Sequence, residues 1–156
     1  SKEIIRQVKM NRTYTVIDGS MFFSAKVLRR DPVRLKEKLL KKLYRYPALP
    51  RSNNRIVPVL PEPPVNPVIT ETHGQIILTW EKGSNSKYFV IYRFRNGKVK
   101  DTEKPENICF VTSSESASLP ADSHSKTAVF SYCITSVSPT NTECKPVYFL
   151  IKQPTP

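Results

Sequence analysis

The stretch "QIILTWEKGSNSKYFVIYRF", residues 75–94, holds two runs of alternating apolar side chains around a short polar turn. In the first run Ile76, Leu78 and Trp80 share one side; in the second Tyr88, Val90 and Tyr92 share one side, with Phe89 and Ile91 on the other. Successive side chains of extended backbone point to opposite faces, so this period of two predicts strands. The residues "GSNS" suit the turn between them.

The same pattern continues outward. "VITET" precedes Gly74, "NICFVTS" is a shorter candidate, "VFSYCITSV" alternates Phe130, Tyr132 and Ile134, and "PVYFLIK" alternates Val147, Phe149 and Ile151. Turn residues such as "RNGK" lie between the runs. Six or seven short strands within about 90 residues predict a β-sandwich and not an alternating α/β fold. Cys133 alternates with Tyr132 and Ile134, which are read as inward. It is therefore expected on the outer face as a buried, inert thiol, with Thr135, Phe89 and Ile91 beside it. That face is more apolar than a free module needs, so the interface residues Phe89 and Ile91, or the linker prolines, are expected to pack against the N-terminal segment.

Before the sandwich the periodicity differs. "SKEIIRQVKMNRT" permits a short helix through Ile4, Ile5 and Val8. "YTVIDGSMFF" has the near-continuous apolar character of a strand buried on both faces. From Asp31, an N-cap residue followed by Pro32 and by Leu35, Leu39 and Leu43 at four-residue spacing predicts a helix that Pro47 stops. Seven of the 14 prolines fall between Pro47 and Pro67, which reads as a stiff extended linker. The expected organisation is an N-terminal α/β segment of one strand and one or two helices (1–46), a Pro-rich linker (47–62) and a mainly β domain (63–156).

The net charge of +12 is unevenly placed. Residues 1–55 hold 15 Lys and Arg against 4 Asp and Glu, whereas residues 56–156 hold 10 against 9. A basic helix bearing Lys36, Lys38, Lys41, Lys42 and Arg45 invites a reading as a nucleic-acid or membrane element, with phosphates contacted through these side chains. The leucine stripe argues for the simpler one, in which Leu35, Leu39 and Leu43 cover a core or an interface and the lysines face water. Nucleic acid is accordingly disfavoured as a partner, and polyanion binding is kept as an alternative. Cys109, Cys133 and Cys144 lack metal-site spacing, and three cysteines allow one disulfide at most. No apolar run is long enough for a membrane span, and a chain opening on Ser1 without a signal-like segment reads as a mature or cut chain.

Residues 63–152 resemble a fibronectin type III module, carried by Pro63-Pro64, by Trp80 in "ILTWE", by "YFVIYR" and by "YCITSVSPTNTECKP". The resemblance implies that Trp80 and Tyr132 are core residues. Residues 14–50, "DGSMFFSAKVLRRDPVRLKEKLLKKLYRYPALP" above all, are similar to the closing segment of the glycosyl hydrolase-like lipoproteins of bacterial envelopes. In these a (β/α)8 barrel precedes a fibronectin type III module. That resemblance implies that Tyr14–Ser24 is the last barrel strand and Asp31–Tyr46 the last barrel helix. It further implies an extracytoplasmic envelope location, an upstream catalytic barrel of the same chain as partner, and polysaccharide as substrate of the whole. Barrel enzymes keep their sites at the C-terminal strand ends, so Phe22, Phe23 and Ser24 are the candidate substrate contacts, with ordinary core packing as the simpler reading of the two phenylalanines.

No catalytic residue is expected within the chain. Glycoside hydrolysis needs two facing carboxylates; Glu103 and Glu106 read as solvated loop charge, and Asp18 as a turn or cap residue. His73 and His124 lie in polar turns, without the ligand spacing of a metal site, and no cofactor motif is present. The expected role is that of a non-catalytic spacer or docking module of a glycoside hydrolase. The alternatives are a carbohydrate-binding module, for which Tyr92, Phe94 and Tyr148 are the candidate platform, and polyanion binding through residues 26–55.

Overall fold

The computed structural model describes residues 2–17, 19–21, 25–31, 34–52, 56–72, 75–95, 100–120 and 130–151. The chain divides into two compact units, Ser1–Pro47 and Ala48–Pro156.

The second unit is a β-sandwich. One sheet has the order β5-β2-β1-β8, built from β1 (Val65–Thr72), β2 (Gln75–Glu81), β5 (Ser116–Pro120) and β8 (Leu150–Ile151). The other has the order β4-β3-β6-β7, built from β3 (Tyr88–Arg95), β4 (Ile108–Thr112), β6 (Phe130–Val137) and β7 (Val147–Tyr148). Pairing is antiparallel except where β8 runs parallel to β1. Between the sheets Ile76, Leu78 and Trp80 of β2 meet Phe89, Ile91, Tyr132, Ile134 and Phe149. The Trp80 ring lies edge-on to Phe89 and Phe149, with centroids 5.4 Å and 6.1 Å apart. Such edge-to-face contacts add about 0.5–1.5 kcal/mol to the burial of each pair.

This core corrects the expected faces of β3. Phe89 and Ile91 are not an outer interface: they are 1 % and 0 % exposed in the inter-sheet core. Register is the reason. Directly opposed residues of an antiparallel pair share a face, and Ile91 pairs with Ile134 while Tyr92 pairs with Cys133. Cys133 thus shares its face with Val90, Tyr92 and Phe94, and this second cluster is covered by Leu49 and Ile108. Both alternating sets of β3 are apolar, so periodicity separates the sets without saying which one faces the other sheet.

Two strands differ from the sequence pattern. β5, "SASLP", is poor in strand-favouring residues, yet it pairs along β2 and buries Ala117 and Leu119. "PVYFLIK" is two strands: β7 pairs with β6 and β8 with β1, so the chain crosses between sheets at the buried Phe149. In β1 a register shift lies between Val65 and Val68, where Asn66 takes φ 50° and donates its side-chain amide to Glu81 at 2.9 Å. That is the geometry of a bulge, which bends an edge locally.

Between positions 48 and 64 the described residues have no regular secondary structure and are tied to the sandwich. The Asn141 amide donates to the Arg51 carbonyl at 3.2 Å, and the Val59 N–H donates to Thr140 Oγ1 at 3.0 Å. Pro61 is buried, and the Glu62 N–H donates to the Ser84 carbonyl at 3.0 Å. Gly83 permits this approach, because a Cβ there would lie 2.7 Å from the carbonyl oxygens of Glu62 and Pro63.

The first unit contains α1 (Lys2–Asn11), α2 (Ala25–Arg30) and α3 (Leu35–Lys42). Ile5, Leu35 and Leu39 form its core, with Ile4, Leu28 and Leu43 packed around them. The expected helix from Asp31 to Tyr46 is shorter: Arg34, with φ 51°, takes the N-cap position and the Asp31 carboxylate accepts the Lys36 N–H at 2.8 Å. The expected strand over residues 14–24 is absent from its described part. Residues 14–17 form a turn in which the Ile17 N–H donates to the Tyr14 carbonyl, and residues 19–21 have no regular structure. A strand exists only through a partner's ladder, and no strand of this chain pairs with that segment among the described residues.

Candidate docking and ligand site

In the first unit α1 buries Ile5 and Val8 and α3 buries Leu35 and Leu39, while other apolar side chains stay uncovered. Val8 is buried under α1, whereas Tyr14 is half exposed, Val16 is 87 % exposed and Met21 is 98 % exposed. A 47-residue unit has too little chain to bury so much apolar surface, and large apolar side chains left in water mark a candidate contact face. Leu35 and Leu39, two of the three leucines read as interface residues, are buried within the unit's own core, and Leu43 is packed at its edge. Phe22, Phe23 and Ser24, the candidate substrate contacts, lie outside the described residues.

In the same unit a cleft of about 330 Å³ is lined by Val8, Asn11, Arg12, Ile17, Ser20 and Tyr44. Its polar groups are held in place. The Arg12 guanidinium donates to the Leu43 carbonyl at 3.0 Å and lies 5.0 Å over the Tyr44 ring. The Asn11 amide donates to Ser20 Oγ at 3.2 Å. Arg12 and Tyr44 are 32 positions apart, so no local motif announces them; the turn after α3 brings them together.

The sandwich carries a second cleft of about 330 Å³, whose walls include Leu49, Tyr92, Glu103, Ile108 and Glu143. At its side Glu143 Oε1 accepts hydrogen bonds from the Tyr92 hydroxyl, at 2.6 Å, and from the Thr135 hydroxyl. Burial and this carboxylate push the Tyr92 phenol well above its ordinary range, because both oppose a phenolate. Burial likewise pushes the Cys133 thiol up to about 12. Cys133 is fully buried, and a thiol held protonated is a poor nucleophile. Glu103 and Glu106 are exposed in the 101–107 loop, where Lys104 pairs with Asp101 at 3.6 Å. No group of three metal-ligating side chains occurs among the described residues.

The aromatic platform considered for glycan binding does not form. Tyr92 and Phe94 stack with centroids 6.4 Å apart, but both are buried, which leaves Tyr148 with Lys100 above its ring.

No family model matches the chain. It is similar to the glycosyl hydrolase YngK of Bacillus subtilis (strain 168), at 31 % identity over an alignment of 110 residues, with 62 % of this chain covered. The chain spans about 20 % of the length of that relative.

Proposed function

We propose that this chain is a non-catalytic accessory region of a glycoside-hydrolase-related protein. Its first unit docks on an upstream catalytic domain, and its sandwich is a fibronectin type III-like spacer. The observation that carries the reading is the uncovered apolar face at Tyr14, Val16 and Met21, in a chain that matches a fifth of a glycosyl hydrolase. An upstream (β/α)8 barrel would cover Tyr14, Val16 and Met21, and such a barrel takes roughly 250 residues of its own. On this reading the whole protein is an envelope lipoprotein acting outside the cytoplasm on polysaccharide.

The sandwich suits a mechanical role. Its inter-sheet core and the outer face of β3 and β6 are packed by its own residues, and its N-terminal approach is pinned at Arg51, Val59 and Glu62. Force or orientation entering at Ala48 is therefore passed to a fixed body.

The test is made in the longer parent protein. Val16→Asp and Met21→Asp are expected to lower the melting temperature of the upstream domain while the sandwich transition is unchanged. The isolated chain is expected to release no reducing ends from xylan, chitin or galacturonan. An unchanged upstream transition, or hydrolysis by the isolated chain, overturns the proposal.

A further inference from the structure

The cleft of the first unit carries chemistry that docking does not require. An apolar contact face needs no oriented guanidinium, yet Arg12 is fixed twice, by the Leu43 carbonyl and by the Tyr44 ring. Guanidinium has five donors. One is used on Leu43, and no carboxylate pairs with Arg12 among the described residues. Asn11 and Ser20 add an amide and a hydroxyl to the same cleft, and Val8 and Ile17 give it an apolar wall. At about 330 Å³ the space is at the small end of ligand sites, which run from about 300 to 1,000 Å³.

The surroundings are positive. Residues 1–47 hold 13 Lys and Arg against 4 Asp and Glu, a net of +9. Two of those four carboxylates are engaged by arginines of their own helices, Glu3 by Arg6 and Glu37 by Arg34. A field of one sign over a cleft concentrates ligands of the other sign.

We propose that this cleft is a subsite for one or two rings of an acidic sugar, the uronate units of an anionic polysaccharide. Arg12 receives the carboxylate through the planar fork that suits it. Asn11 and Ser20 address ring hydroxyls, and the wall of Val8 and Ile17 lies against the apolar face of the ring. Tyr44 is a positioning residue, because it holds Arg12 by its face. The proposal rests on the polysaccharide reading above and adds to it the class of sugar.

The experiment titrates the chain with oligogalacturonate, with a neutral galacto-oligosaccharide of equal length and with a short DNA duplex. Oligogalacturonate is expected to bind at least tenfold more tightly than either of the others. Arg12→Gln and Tyr44→Ala are expected to lose that tenfold, while Tyr44→Phe keeps it and a Lys41→Gln/Lys42→Gln double variant changes it by less than threefold. Circular dichroism checks that each variant keeps its helices. Equal loss in the lysine double variant, or DNA bound as tightly as oligogalacturonate, would mean diffuse polyanion attraction and overturns the subsite. Failure to bind oligogalacturonate overturns it too. Neutral and acidic oligosaccharides bound alike sink the subsite but leave the accessory role standing, since that role is read from the upstream melting transition.

Discussion

Glu143→Ala removes the acceptor of two hydroxyls at once. Tyr92 and Thr135, each 1 % exposed, donate to the same carboxylate oxygen. A buried donor left without an acceptor costs about 1–3 kcal/mol, so the two together bound the loss at about 2–6 kcal/mol. The adjoining cleft of about 330 Å³ has Tyr92 in its wall and room for water. Water there can replace one acceptor, which places the expected loss at about 2–4 kcal/mol. For a domain of this size the melting temperature falls by about 10–20 °C. Urea unfolding can be followed by the fluorescence of Trp80, the one tryptophan, whose ring sits in the inter-sheet core. The decisive comparison is the triple variant Tyr92→Phe/Thr135→Val/Glu143→Ala, which lacks the orphaned hydroxyls as well. Removing both sides of a hydrogen bond is far milder than removing one, so the triple variant is expected to be more stable than Glu143→Ala alone. A loss below about 0.5 kcal/mol for Glu143→Ala, or a triple variant less stable than the single one, refutes the reasoning.

Phe89→Ala tests the corrected face of β3: truncation in the core is expected to cost about 3–5 kcal/mol by urea unfolding, and a cost under about 0.5 kcal/mol, as at an exposed site, would restore the outer-face reading. Alkaline pH is expected to destabilise the sandwich. Burial raises Cys133 from the ordinary 9.0 to about 12 in the folded state, so its contribution is complete below pH 9 and is lost as pH rises toward 12. Tyr88 and Tyr92 shift in the same direction from 10.0 and add to the loss. Urea midpoints measured at pH 8 and pH 10.5 check this; a midpoint that does not fall contradicts the burial of these groups.

In "QIILTWE" Gln75, Thr79 and Glu81, and in "VFSYCITSV" Ser131, Cys133 and Thr135, alternate with larger apolar residues, so the inward sets are readable, and Trp80 and Tyr132 are in the core the resemblance implied for them. "YFVIYRF" is apolar on both sides, and the decision fell to its pairing with β6 and to the cover given by Leu49 and Ile108. β5 was missed because "SASLP" has little intrinsic strand preference and is held by β2, a tertiary override of propensity. The sites were less legible. Arg12 with Tyr44, and Glu143 with Tyr92, are contacts across 32 and 51 positions that no spacing rule reaches.

The amino-acid sequence by itself determined a mainly β chain with a basic, helical N-terminal part, because side-chain periodicity and charge are local properties. Only the tertiary structure decided which face of β3 is core, where the chain changes sheets at Phe149, and that residues 14–17 turn instead of extending. Each of these depends on what lies across from a residue. Strand pairing and burial are properties of two segments together, and one segment's pattern holds only half of them.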